Sequence, residues 1–426
     1  MHDWARNCAW GEIKEDELTA LALELGKIPA PSGHEGPVAD YLEEWLQSNR
    51  LPCIKQEVYP ERYNVLSYLP GRSGRTALLF NSHIDSDLGA AEDAWVMESD
   101  SDPLRVWQEQ DRIYGHAILN DRGPLACFLM AALAIKKAGI TLEHELLLTA
   151  TVGEIGMAPV DEFQGYRYIG KGIGARHLVT HGGLADYAVV AETTDFSPVW
   201  AECGVLYFKL TVYGDVIYVP RLERPQDRKQ HPNAVIRAHY LIEALENWAE
   251  EYQSQYSTPY AGGWIIPKIS IGAIRGGAPP RPNVTSGICH LYLDVMIPPG
   301  MDPQIPKVEL KQILERLGYP YRIECYLSRM GYIAQDIDPL LEGIRQAHFR
   351  VFGQEPGVSP ADVSSMWRDI NVFNEVGIPA LNYGPPRRKD TEKGQRYFLI
   401  QDLVDTARVY ADLILTMCGV HEERGQ

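Results

Sequence analysis

The stretch Thr76-Ala-Leu-Leu-Phe-Asn-Ser-His-Ile-Asp85 decides the fold that we predict for this chain. It opens with a nearly continuous apolar run, which is typical of a strand buried on both faces within a parallel sheet. Polar side chains follow at once, with His83 and Asp85 placed where the strand ends. Ligand sites of open α/β sheets lie beyond the carboxyl ends of the strands. The stretch therefore predicts a buried α/β sheet with a functional site at its edge.

The segments around this strand alternate between helix and strand patterns. Apolar residues recur at helical spacing over residues 17–46, with a turn at 29–33, and a second apolar helix is predicted at 123–138. Buried strands are predicted at 145–151 and 188–191. Strands and helices that alternate in this way predict an α/β sheet joined by right-handed crossovers.

A change of pattern after Glu202 indicates an inserted domain. Residues 205–213 alternate like a strand with one exposed face, and a long helix, two strands and a shorter helix follow. This β-α-β-β-α-like order predicts an α+β unit. We expect a discontinuous α/β domain over residues 1–204 and 330–426, and an inserted α+β domain over residues 205–329.

Composition narrows the classes of function. The 426 residues are 45% hydrophobic and carry 40 Lys and Arg against 57 Asp and Glu, a formal net charge of −17. This sign repels phosphate backbones and anionic lipid surfaces, so no nucleic acid and no membrane partner is expected. The longest apolar run, residues 125–135, is shorter than the roughly 20 residues that span a bilayer, and residues 1–10 lack a signal-peptide core. We predict a cytoplasmic protein with reduced cysteines, because its seven cysteines are scattered without a CxxC pair.

Residues of the types that bind metals or transfer protons stand at four expected strand ends. They are His83 with Asp85, Asn120 with Asp121, Glu154, and Glu192. Taken singly, each has an ordinary structural interpretation as a hydrogen-bonded histidine, a capping residue or a solvated carboxylate. Together they predict one site, because the ends of neighbouring parallel strands converge on one crevice.

Five motifs in a fixed order carry a resemblance to a known family. They are His83-Ile-Asp85, Gly115-His-Ala-Ile-Leu-Asn-Asp-Arg-Gly123, Gly153-Glu-Ile-Gly156, Ala191-Glu-Thr-Thr194, and Asp369 with Phe373 and Gly377-Ile-Pro379. In these motifs the chain resembles the M20 family of metal-dependent aminopeptidases, carboxypeptidases and amidohydrolases, over nearly its whole length. The resemblance implies a central, mostly parallel sheet flanked by helices, with a ferredoxin-like lid or dimerisation domain inserted into it. It also implies a small-molecule substrate and a homo-oligomer formed through the inserted domain.

Departures from the family pattern concern the second metal ion. The resemblance implies two zinc ions bridged by an Asp, but the matching residue here is Asn120. Two divalent ions about 4 Å apart repel by on the order of 20 kcal/mol at an effective dielectric constant of 20, and a neutral amide does not offset that repulsion. Asp121 restores the bridge if the match shifts by one residue. The family's last metal ligand, a His, matches Glu392, which leaves open whether Glu392 or Asp121 replaces a missing ligand.

The resemblance also places Gly153 at the position of the family's general base. Glycine transfers no protons, so the neighbouring Glu154 is our preferred base, by acid–base chemistry and not by family assignment. The predicted site consists of His83, with Asp85 holding its other ring nitrogen, Glu192, and either Asn120 or Asp121. Such a set predicts one weakly held divalent transition metal ion, Mn or Zn.

The family's contacts to the substrate acyl group are missing as well. No His occurs in Gly214-Asp-Val-Ile-Tyr-Val-Pro220, and Met296 stands where the resemblance implies an Arg. Arg368, His231 and Arg281 are candidate substrate-binding residues by location only, and each is otherwise an ordinary surface residue.

The remaining metal site, together with these departures from the family pattern, predicts a metal-dependent hydrolase. We expect it to cleave a C–N bond of a small carboxylate-bearing substrate with metal-activated water. The favoured version is deamination of an electron-poor aromatic amine such as 5-nitroanthranilate, because the ring itself delocalises the developing charge and replaces missing oxyanion donors. Within the family, 5-nitroanthranilic acid aminohydrolase carries out this chemistry. The alternatives are a conventional deacylase or dipeptidase with shifted ligands, and a non-catalytic relative that serves as a binding or assembly subunit.

Overall fold

The computed structural model describes residues 3–87, 105–391 and 394–421. Contacts divide the chain into two compact units. The first contains residues 1–200, 333–360 and 368–426, and the second contains residues 201–332 and 361–367. The sequence had assigned residues 361–367 to the first domain, but their contacts group this short segment with the second unit.

A six-stranded sheet forms the centre of the first unit, in the order β1-β2-β6-β3-β7-β14. Its strands are β1 (Ile54–Tyr59), β2 (Arg62–Leu69), β3 (Thr76–His83), β6 (Glu145–Thr151), β7 (Tyr187–Ala191) and β14 (Ala380–Tyr383). The four strands from β6 to β14 in this order are parallel, whereas β1 and β2 join the β6 edge in antiparallel pairing. The predicted mostly parallel α/β sheet is confirmed.

The strand chosen from the sequence lies between two parallel partners. β3 pairs with β6 on one side and with β7 on the other, and all of its residues except Thr76 are buried. As we expected, the strand is apolar because both of its faces are buried. Since β3, β6 and β7 run in one direction, the residues that follow His83, Thr151 and Ala191 leave the sheet at the same edge.

Helices enclose this sheet. They are α1 (Asp3–Glu12), α2 (Glu15–Lys27), α3 (Gly36–Ser48), α4 (Gly123–Lys137), α5 (Ile173–Thr180), α8 (Asp338–Phe352), α10 (Ile370–Glu375) and α11 (Ile400–Cys418). The segment Ile118–Lys137, which includes α4, is long and apolar enough to cross a membrane, but 94% of that window is buried inside the structure. Its composition is that of a core helix, and α11 packs along it.

The second unit is a four-stranded antiparallel sheet with helices. Its strands are β8 (Gly204–Tyr213), β11 (Ile269–Gly276), β12 (Ile288–Ile297) and β13 (Tyr321–Arg329), in the order β11-β12-β8-β13. The helices are α6 (Ala234–Tyr256), α7 (Gln304–Leu317) and α9 (Ala361–Ser364), and β9 (Thr258–Tyr260) and β10 (Gly263–Ile265) form a hairpin. The βαββαβ order with this pairing is ferredoxin-like. Self-association through this unit stays a prediction.

The sequence analysis did not predict four short strands. β4 (Trp107–Glu109), β5 (Arg112–Tyr114), β15 (Arg388–Lys389) and β16 (Arg396–Leu399) form a small sheet in the order β15-β16-β5-β4. Segments of two to four residues are too short to show a periodic hydrophobic pattern. β1 and β13 were missed as well, because few of their residues are buried.

A fully buried ion pair links the first unit's loops to its sheet. Arg62 donates two hydrogen bonds to Glu35, Nε to Oε2 at 2.9 Å and Nη2 to Oε1 at 2.7 Å. Its Nη1 donates to the backbone oxygens of Tyr166 and Ile169. Both side chains of the pair are wholly inaccessible to solvent. The guanidinium thus ties Glu35 and residues 166–169 to strand β2.

Replacement of Glu35 by Gln should destabilise the protein by about 3 kcal/mol, because Arg62 then keeps a buried charge without its counter-ion. Urea unfolding followed by circular dichroism measures this loss of free energy of unfolding. Glu24→Gln is the matched control, since Glu24 pairs with Lys27 on the surface and should change the stability by less than about 1 kcal/mol. Equal effects of the two substitutions would contradict the role given to the buried pair.

Candidate metal centre

Three buried side chains converge at the edge of the sheet. His83 ends β3, Glu192 directly follows β7, and Asp121 lies just before α4. Nε2 of His83 lies 3.5 Å from Oδ2 of Asp121 and 4.0 Å from Oε1 of Glu192. One potential ligand atom of each residue lies within 4.8 Å of the others. The arrangement offers one imidazole and two carboxylates to a single cation.

The turn before α4 presents Asp121 to this cluster. Asn120 and Asp121 depart from helical geometry, at φ −138°, ψ 79° and φ −132°, ψ 36°, within the segment Ile118–Arg122. The buried Arg122 guanidinium donates to the backbone oxygen of Ile84, the residue after His83. The turn is thereby tied to the end of β3, which holds Asp121 opposite His83.

The sequence left two candidates for this ligand position, Asn120 and Asp121. The structure brings Asp121 together with His83 and Glu192. The side-chain oxygen of Asn120 instead accepts a hydrogen bond of 3.2 Å from Nη2 of Arg387. Glu392, the other candidate replacement for a missing ligand, lies outside the described residues.

The surroundings of Asp121 suit a carboxylate that binds a metal ion. Both of its carboxylate oxygens are buried, and within the described part of the chain neither accepts a hydrogen bond. Burial and the neighbouring Asp121 raise the pKa of Glu192 well above its usual range. Burial also opposes ionisation of Asp121, but its contacts with Glu192, Arg387 and His83 lower its pKa. Two adjacent buried carboxyl groups beside an imidazole, one of them without a hydrogen-bond donor among the described residues, are a donor set suited to one divalent ion.

Asp85 supports the imidazole from the side away from the other ligands. Nδ1 of His83 lies 3.1 Å from the backbone oxygen of Asp85 and 3.4 Å from its Oδ1. The carboxylate itself accepts hydrogen bonds from Ser32 Oγ at 2.6 Å and from the backbone nitrogens of Glu154 and Ile155. Burial disfavours its charge, but these donors and His83 keep the pKa of Asp85 below its ordinary value. The expected support of His83 by Asp85 therefore comes from the backbone oxygen as well as the carboxylate.

Gly153 cannot be exchanged for a residue with a side chain without rearrangement. Its φ is +64°, and a Cβ placed on it would lie 2.5 Å from Nη2 of Arg62 and 2.7 Å from Cγ2 of Ile173. The buried guanidinium of Arg62 occupies the space that a carboxylate would need at position 153. Glu154 is buried beside the cluster, and burial raises the pKa of its carboxyl group.

The predicted substrate-binding residues lie in different places. Nε of Arg368 forms an ion pair with Oε2 of Glu192 at 2.9 Å, and both side chains are buried. His231 and Arg281 belong to the second unit, where His231 is buried and Arg281 is exposed. Nδ1 of His231 accepts a hydrogen bond from the backbone nitrogen of Asn233. A role for these three residues in binding substrate stays a prediction.

The sequence analysis missed two residues near the ligands as functional candidates. Arg387 belongs to none of the motifs, and only the fold brings its guanidinium close to Asp121. Asp369 was noted only as part of a motif, yet its Oδ2 accepts hydrogen bonds from Asn81 Nδ2 at 3.0 Å and Thr151 Oγ1 at 3.2 Å. Asn81 lies two residues before His83 on β3, so Asp369 braces the strand that carries the imidazole.

Burial, aided by the charge of Glu154, raises the pKa of Asp369 to about 7. The folded protein thus keeps a proton that the unfolded chain releases near the ordinary value of 3.8. The contribution of Asp369 to the free energy of unfolding must therefore fall as the pH rises from about 4 to about 7.

Asp369→Asn removes this titration while keeping an oxygen acceptor for Asn81. Relative to the wild type, the variant should gain on the order of 1 kcal/mol or more of stability across that pH range. Urea unfolding of chelator-treated protein at a series of pH values measures the difference. Parallel stability curves for the two proteins would contradict the raised pKa.

Comparison with known proteins agrees with this architecture. Residues 79–416 match the model of peptidase family M20/M25/M40. The chain is 24% identical to acetylornithine deacetylase of Myxococcus xanthus, with 94% of this chain and 98% of that protein covered. It is 22% identical to N-formyl-4-amino-5-aminomethyl-2-methylpyrimidine deformylase of Bacillus subtilis, with 97% of each covered.

Solved structures show the same fold. Aminopeptidase PepT of Bacillus cereus is similar with a TM-score of 0.68 at 15% identity, covering 95% of this chain and 99% of PepT. The YXEP protein of Bacillus subtilis, described as a dinuclear metal binding peptidase from the M20 family, gives a TM-score of 0.63 at 13% identity, with 96% and 99% covered. The chain therefore belongs to peptidase family M20/M25/M40 and is a metal-dependent hydrolase.

Proposed function

We propose that this protein hydrolyses a C–N bond of a small carboxylate-bearing substrate, with removal of an acyl group from nitrogen as the first candidate reaction. One observation carries the proposal. The buried set of His83, Asp121 and Glu192 lies at the same sheet edge as Glu154, whose side chain is buried and whose backbone nitrogen donates to Asp85. A cation site and a proton acceptor side by side are what hydrolysis by water requires.

The three ligands would hold one manganese or zinc ion, which when bound supplies a Lewis acid and lowers the pKa of water. Glu154 takes a proton from the attacking water while the water oxygen forms a bond to the substrate carbon. The same carboxyl group then gives that proton to the leaving nitrogen as the C–N bond breaks. Its burial favours the first transfer, because a raised pKa makes the carboxylate a better base than one in water.

Two neighbours position the ligands. Asp85 fixes the ring of His83, so that Nε2 faces Asp121 and Glu192. Arg368 holds Oε2 of Glu192 and leaves Oε1 directed towards His83. Ligands that are fixed in this way lose little conformational entropy when a cation binds.

The names of the relatives support acyl removal as the first candidate, since they include a deacetylase and a deformylase. The sequence had favoured the aromatic version, and we keep it as a second candidate for one reason. Residues 214–220 contain no His, and Met296 replaces the expected Arg, so donors for the oxyanion of an amide are lacking at these positions. Because the chain is a hydrolase of this family, the non-catalytic alternative is set aside.

Metal-free protein should be inactive, and added Mn²⁺ or Zn²⁺ should restore turnover of N-acyl amino acids, because the carboxylate cluster needs a cation to act. The released amino acid is measured directly, and ammonia released from 5-nitroanthranilate is measured in parallel. Release of ammonia alone would select the second candidate. No turnover of either substrate class with either ion would contradict the proposal.

Glu154→Gln should lower kcat by about 10² to 10⁴ while one metal equivalent remains bound, because the amide cannot accept a proton. His83→Ala should remove both metal binding and turnover. Glu57→Gln is the matched control, because Glu57 is an exposed residue of the edge strand β1, and it should leave both quantities unchanged. Normal turnover by Glu154→Gln would show that another group is the base.

A further inference from the structure

We propose that the guanidinium of Arg387 is a built-in cation that takes the place of a second metal ion, so that Asp121 bridges one metal ion and one arginine. The inference rests on the proposed function for the first ion and goes beyond it in assigning a role to Arg387. It concerns a residue that belongs to none of the motifs by which the chain resembles its family.

The position of Arg387 is the first step. Its Nη2 donates a 3.2 Å hydrogen bond to Oδ1 of Asn120 and lies 3.5 Å from Oδ1 of Asp121. Only 27% of its side chain is exposed. A guanidinium keeps its charge at every pH at which proteins fold, so this is a permanent positive charge beside the ligand set.

The chain before Arg387 holds it there. Gly384 follows β14, and a Cβ placed on it would lie 2.1 Å from the backbone oxygen of Glu192. The Gly384 nitrogen donates to Thr194 Oγ1 at 3.0 Å, which ties the turn to the segment that carries Glu192. Pro385 and Pro386 come next, and their rings fix φ. The guanidinium is therefore delivered by a stiff turn packed against a metal ligand.

The two oxygens of Asp121 point to different partners. Oδ2 faces Nε2 of His83 at 3.5 Å, on the side of the predicted metal ion, whereas Oδ1 faces Nη2 of Arg387 at 3.5 Å. A carboxylate between two cations is the arrangement of a two-metal site. Here one of the two cations is already part of the chain.

Asn120 supports the same assignment. A carboxylate at this position would help to neutralise a second divalent ion, but the amide brings no charge. Its side-chain oxygen also accepts the hydrogen bond from Arg387, so one of its lone pairs is already used. A metal ion at that oxygen would lie against the guanidinium, and like charges at such a distance repel strongly in a buried site.

The balance of charges points the same way. The carboxylates of Asp121 and Glu192 each lie beside one arginine, Arg387 and Arg368. A second divalent ion would bring further positive charge next to these two arginines. The relative described as dinuclear would then differ from this chain in the number of ions bound.

The test is a Mn²⁺ titration of four proteins, with bound and free ion separated by electron paramagnetic resonance. The proteins are the wild type, Asn120→Asp, Asn120→Asp with Arg387→Gln, and Asn120→Asp with Arg387→Lys. Thermal unfolding of each protein establishes that it is folded. The lysine variant is the matched control, because it keeps the positive charge.

The wild type, Asn120→Asp and the lysine variant should each bind about one equivalent, and the Arg387→Gln double variant about two, with the spectrum of an exchange-coupled pair. Two ions in the wild type or in Asn120→Asp would overturn the inference. A single ion in the Arg387→Gln double variant would also overturn the inference. If that variant also has a raised KM, Arg387 is a substrate-binding residue instead. Binding of no ion by the wild type would overturn the proposed function as well, which separates the two failures.

Discussion

Two carboxylates buried side by side next to an imidazole set the constraint on which the rest of this structure depends. Asp121 and Glu192 lie within reach of His83, and all three side chains are buried. Burial removes the hydration that stabilises charge, so the fold must supply counter-charge from side chains or from an ion. Arg368 and Arg387 supply part of it from the chain, and the open lone pairs of Asp121 leave a place for one divalent cation.

The need to neutralise buried charge also applies to the ion pair of Arg62 and Glu35. Arg62 and Glu35 neutralise each other in full burial, and the guanidinium occupies the space next to Gly153. A side chain at position 153 is therefore incompatible with this packing, and the proton-accepting role is the one that we propose for the neighbouring Glu154. The ion pair thus restricts which residues of this loop could take part in acid–base chemistry.

Much of the fold could be predicted because hydrophobic patterns are local. The buried run of β3 and the strands β6 and β12 are periodic or apolar over seven to ten residues, and their burial has one cause. The short strands β5 and β16 carry no such pattern, because they are ordered by their partners in the small sheet. Of the ligand set, His83 and Glu192 could be found from strand ends, whereas the choice between Asn120 and Asp121 depends on a turn that no pattern specifies.

The sequence by itself determined the parallel sheet, three of the four strands and the two long helices of the inserted unit, and the family. Each of these is specified by contiguous residues or by motifs in a fixed order. Only the tertiary structure decided that Asp121 faces His83 while Asn120 is bonded to Arg387. Asn120 and Arg387 are 267 positions apart along the chain. Their contact arises from the packing of the α4 turn against the turn after β14, and a local pattern cannot encode a distance across the fold.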